Sequence, residues 1–106
     1  MSNSVDATSS AAAAAGENGG AWAALRLQPA ILYRDDQSIF RQGDRADHVY
    51  QVERGCVRVY RLHPDGRRQI TGFYLPGECF GFDGKGARTS FAEAVGQTRV
   101  RSLRLS

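Results

Sequence analysis

The stretch best equipped for chemistry is PGECFGFDGKGARTSFAEAV, Pro76 to Val95. It gathers Gly77, Gly81, Gly84 and Gly86 in one short run and adds two cations, Lys85 and Arg88. Glycine-rich loops of this kind suit anions, because free backbone N–H groups and a positive charge converge on the same oxygen atoms. The residues it offers to a small anionic effector are Gly81, Phe82, Gly84 and Gly86, with Arg88 and Thr89 at the far end. The competing reading is that these glycines serve turn geometry alone.

Other reactive side chains are sparse. Cys56 and Cys79 are too few for a disulfide scaffold and are expected to be reduced, part-buried thiols. A redox-sensing role would need one of them to be an exposed thiolate of low pKa. Neither lies in a CxxC, and His48 and His63 are the only histidines, so no zinc, cupin-type or haem-attachment spacing is present. No Ser-His-Asp or Cys-His set stands out. No catalytic residue, metal ligand or cofactor is expected, and the chain does not read as an enzyme.

These residues need a scaffold, and 106 residues allow one small domain. A hydrophobic fraction of 42% suffices for a single core. No apolar run approaches the roughly 18–20 residues of a membrane span. The first cation is Arg26, which fits neither a secretory signal nor an Arg-rich transit peptide, so a cytoplasmic protein without membrane contact is expected. Every cation except Lys85 is arginine, and the arginines are scattered along the chain. The net charge of +3 is compatible with a nucleic-acid context but does not establish one.

Residues 1–24 are rich in Ser, Ala, Gly and Asn and read as a disordered, low-complexity tail. A helical turn at AWAALRL would bring Trp22 or Leu25 onto the domain. Residues 25–106 read as the folded part, with short strands and frequent turns from Ile31 onward. QSIFRQGD is a brief strand. HVYQVERG alternates, with Val49, Gln51 and Glu53 on one face and Tyr50 and Val52 on the other. CVRVYRL follows at once, which predicts a tight hairpin at Glu53-Arg54-Gly55. HPDGRR is a turn set by Pro64 and Gly66, RQITGFYL the next strand and TRVRSLRL the last. Short strands at this spacing predict an all-β fold with little helix, an antiparallel double-stranded β-roll or jelly roll.

Three segments then carry a resemblance: GDRADHVYQVERGCVRVYR, HPDGRRQITGFYLPGECFGFD, and SFAEAV with GQTRVRSL. Together they resemble the cyclic-nucleotide-binding-like effector domain of the CRP/FNR bacterial transcription regulators, in the FNR and FixK branch. The likeness runs from about Asp35 to Leu105. In members that bind cyclic AMP, a Gly-Glu pair contacts the ribose and a later Arg-Ser/Thr pair holds the cyclic phosphate. Gly77-Glu78 and Arg88-Thr89 reproduce that spacing. The alternative alignment takes Pro76-Gly77-Glu78 as the preceding corner and puts Gly81-Phe82 at the Gly-Glu position, with the carboxylate missing. The second is favoured, because GFD and SFAEAV then both fall on the FNR-like pattern.

The resemblance further implies no FNR-type iron–sulfur cluster. Residues 1–31 hold no cysteine, and the internal ligand position of that pattern falls on Arg101. It leaves the FixK-like group, regulators of microaerobic and nitrogen-fixation genes. Their full-length homodimers meet DNA and RNA polymerase with the help of a dimerisation helix and a helix-turn-helix. Neither element is expected in this chain, which would therefore contact DNA and polymerase only as part of a longer regulator.

Overall fold

The computed structural model describes residues 19–82 and 86–105. A short helix, α1 (Gly19–Leu25), precedes six strands: β1 (Ala30–Tyr33), β2 (Ser38–Phe40), β3 (His48–Leu62), β4 (Arg68–Tyr74), β5 (Cys79–Phe80) and β6 (Phe91–Arg104). All pairings are antiparallel, and the fold is the expected β-roll. No helix among the described residues is long and apolar enough to cross a membrane.

Two long strands form the spine. β3 and β6 pair from His48↔Arg104 to Tyr60↔Phe91. Short strands extend each half of this ribbon: β1 and β5 at one end, β2 and β4 at the other. The inner faces of both halves then meet in one core of Phe40, Tyr50, Val52, Val57, Val59, Phe80, Ala92 and Val100, with Tyr33, Ile39 and Tyr74 against it. A small chain achieves a two-layer core this way, because a curled ribbon supplies both layers from one sheet.

The predicted hairpin at Glu53-Arg54-Gly55 does not form. β3 runs straight through it, and the pairing with β6 shifts register between Val52 and Cys56 instead. Gly55 has a φ of 95° and serves a bulge, which bends a strand without ending it. The faces alternate as expected, with Tyr50 and Val52 in the core, but burial does not follow them, because Val49 on the other face is buried too. The sheet is covered on both sides there, because α1 packs on β6 and Leu25 is fully buried. Of the predicted disordered tail, residues 1–24, the first 18 lie outside what is described, as does the Trp22 side chain, whereas residues 19–24 belong to α1 and are helical.

The remaining turns follow their sequences. At HPDG the amide of Gly66 donates to His63 O at 2.8 Å. At LPGE, Pro76 precedes Gly77 with a φ of 90°, and Glu78 N donates to Leu75 O at 2.9 Å, a type II turn. Three stretches of strand were not named from the sequence: β1, β5, and the first half of β6 across SFAEAV.

Candidate functional site

The loop from Phe80 to Ser90 leaves the core and re-enters it, and Arg88 is where it re-enters. In extended chain, alternate residues face alternate sides. Arg88 and Ser90 are accordingly buried, 3% and 2% exposed, whereas Thr89 between them is exposed. The backbone of Arg88 is paired to the turn before β3: its N–H donates to Asp44 O at 2.7 Å, and its carbonyl accepts from Gly43 N at 2.8 Å.

The guanidinium therefore faces inward. Its Nη1 donates to Gly81 O at 2.8 Å and its Nη2 to His48 O. It lies over the Phe40 ring, 4.2 Å from the centroid, and 5.6 Å from that of Tyr50. The Tyr50 ring stacks on Phe80 at 5.1 Å. Arg88 Nε and Ser90 Oγ have no hydrogen-bond partner among the described residues. A buried cation is thus met by carbonyl dipoles and ring faces, both of which favour positive charge.

Gly81 is brought to Arg88, as the sequence grouped them, but through its carbonyl and not its N–H. Its φ is 89°, and a Cβ built there would lie 2.8 Å from Tyr50 Cδ2. Phe82 is part-exposed, and Gly86, also at positive φ, accepts from Ala46 N at 2.7 Å through its carbonyl. Gly84, with Asp83 and Lys85, lies outside the described residues. His48 O and Ser90 escaped the sequence reading. Ser90 was within reach of it, since strand alternation places it on the face of Arg88. The carbonyl of His48, 40 residues away in sequence, was not.

Glu78, the carboxylate of the first alignment, belongs to its own corner: its Oε1 accepts from Leu75 N at 2.7 Å. The cysteines are free and part-buried. Burial pushes the Cys79 thiol up to about 12, only partly opposed by the charge of Arg26. Burial also raises the Cys56 thiol, against the opposing pull of Arg58. Both environments favour the protonated thiol, the reverse of what a thiolate sensor needs. Among the described residues, no three His, Cys, Asp or Glu side chains gather as a metal site.

Comparison with known proteins places this geometry. Residues 30–106 match the family model described as the cyclic nucleotide-binding domain. The nitrogen fixation regulation protein FixK of Rhizobium meliloti is 50% identical over 68 residues, covering 64% of this chain and 32% of that protein. The fumarate and nitrate reduction regulatory protein of Escherichia coli is 38% identical over 66 residues, 60% of this chain and 26% of that one. The structure of FixK2 from Bradyrhizobium japonicum superposes with a TM-score of 0.68 at 42% identity, covering 73% of this chain and 39% of that one. The chain spans about a third of the length of the curated relatives it matches. It belongs to the cyclic nucleotide-binding domain family, as an effector domain of the FixK-like branch of the CRP/FNR regulators.

Proposed function

We propose that this domain serves a FixK-like regulator of nitrogen-fixation and low-oxygen gene expression, and does so without a cyclic nucleotide or an iron–sulfur cluster. The observation that carries the reading is the inward guanidinium of Arg88, both of whose terminal nitrogens are engaged by carbonyls of the domain itself. Phe82 at the position of a ribose-binding carboxylate supports it, since a phenyl ring accepts no hydroxyl hydrogen bonds. Each such charge-assisted bond is worth about 1.5–3 kcal/mol. An FNR-type cluster takes four converging thiolates. The chain has two cysteines, one on β3 and one on β5, and this supports the absence of a cluster. In this reading the regulator is a cytoplasmic homodimer, and the rest of its length contributes the contacts with DNA and RNA polymerase.

The competing reading is a small anionic effector at the Gly81–Thr89 loop. Arg88 Nε and Ser90 Oγ, which have no hydrogen-bond partner among the described residues, favour it. Thermal melting separates the two. A ligand present at 100 times its Kd stabilises by about 2.7 kcal/mol, roughly 10–20 °C for a domain of this size. The melting temperature is expected to stay within about 1 °C with millimolar cyclic AMP, cyclic GMP, cyclic di-GMP or inorganic phosphate. A saturable rise with any of them overturns the ligand-free reading.

A further inference from the structure

One side chain ties the loop after Phe80 to everything it must rest on. Arg88 reaches the start of the loop through Gly81 O and the start of β3 through His48 O. Its backbone is fixed to residues 43 and 44, and its guanidinium lies over Phe40, the last residue of β2. Tyr50, stacked on Phe80, lines the same guanidinium. Three stretches, at Phe40, His48–Tyr50 and Gly81, therefore meet on a single planar cation.

The arrangement holds only while Gly81 keeps its left-handed backbone, which turns its carbonyl towards Arg88. A Cβ at Gly81 would meet both partners, Tyr50 Cδ2 at 2.8 Å and Arg88 Nη1 at 3.3 Å. No carboxylate pairs with Arg88 among the described residues. Opening the loop would strip a buried charge of its two carbonyl acceptors together, and that coupling makes the closed state cooperative.

We propose that Arg88 is an internal latch: its guanidinium cross-links the loop to β2 and β3 and holds the domain closed with no effector bound. The proposal rests on the ligand-free reading above and adds what takes the place of a ligand. Two features of arginine matter. Its planar fork serves two acceptors in different directions, and it lies flat on an aromatic ring. A lysine ammonium keeps the charge but lacks the fork.

Hydrogen–deuterium exchange on the 106-residue chain tests it, with Arg88→Met and Arg88→Lys beside the wild type. In Arg88→Met, peptides covering Gly81, Arg88 and His48–Tyr50 are expected to exchange at least about tenfold faster. The spine pairs of Val57–Tyr60 with Phe91–Ala94 should keep wild-type rates, and Arg88→Lys should fall between. Unchanged loop exchange overturns the latch, and so does acceleration spread evenly over the whole domain. If Arg88→Met does not fold, Arg88→Lys decides, and wild-type loop exchange in it overturns the proposal. Failure of the ligand-free reading looks different: millimolar cyclic AMP would then slow loop exchange in the wild type.

Discussion

Gly55 and Gly77 share nearly the same φ, 95° and 90°, yet their neighbourhoods set them apart. A Cβ at Gly55 would sit 2.6 Å from Thr98 Oγ1, 2.7 Å from Gln97 O and 2.8 Å from Thr98 Cα. Thr98 is fully buried, and its hydroxyl donates to Cys56 O at 3.0 Å, so it has little room to yield. At Gly77 nothing lies within 4 Å. Alanine at either position carries backbone strain of about 1–3 kcal/mol. At position 55 it also carries an overpacking cost of about 1–3 kcal/mol. Gly55→Ala is therefore expected to lower the melting temperature by roughly 10–45 °C, and Gly77→Ala by about half as much. Equal losses in a pair of melts would mean that the bulge gives way as easily as the turn.

At the scale of elements, the same glycine shows where the sequence misleads. Glu53-Arg54-Gly55 has the composition of a hairpin turn, and local residues cannot say whether the chain reverses or bulges. The answer lies in β6, which runs past the bulge and pairs on both sides of it. The corners at HPDG and LPGE were legible because their residues determine their own backbone. At the site, the grouping of Gly81 with Arg88 was legible, whereas the inward direction of Arg88 depends on a carbonyl that pairing alone brings close. Pairing across the spine also decides how α1 is held. Arg101 donates from Nη1 to Gln28 O at 2.7 Å and to Arg26 O at 3.4 Å, and from Nη2 to Glu53 Oε2 at 2.6 Å. A cation thus meets the carbonyls just beyond the helix C-terminus, where they lack helical partners. Arg101→Met is expected to speed tryptic cleavage after Arg26 by about tenfold, the ratio set by roughly 1.4 kcal/mol. Arg99→Met, which loses only a bond to Glu53, should change it less. An unchanged rate in Arg101→Met would show that Leu25 alone holds the helix.

For the whole molecule, the question is what locks the far half of the roll, away from α1 and the loop. There Arg58 on β3 donates from Nη2 to Glu93 Oε1 at 2.9 Å and to Asp36 Oδ1 at 3.1 Å. Tyr60 OH donates to Glu93 Oε2 at 2.7 Å. The Tyr60 ring stacks on Phe91 and lies under the guanidinium of Arg68 on β4. One carboxylate on β6 is thereby joined to β3 directly and to β4 through Tyr60. Burial pushes the Glu93 carboxyl up, but the hydrogen bonds from Arg58 and Tyr60 and the charge of Arg58 outweigh it and hold it below its ordinary 4.5. A carboxylate depressed in the folded state contributes its full stability above its unfolded pKa and loses it as pH falls through the folded value. The domain should keep a nearly constant melting temperature down to about pH 5 and lose stability steeply below about pH 4.5. Glu93→Gln keeps the shape and removes the charge. It is expected to lower the melting temperature by roughly 4–8 °C at pH 7, to fall less steeply below pH 4.5, and to approach the wild-type curve at the acid end. Two curves that stay parallel from pH 7 to pH 3 would show that Glu93 does not carry the acid response, and that other carboxylates lock this half of the roll.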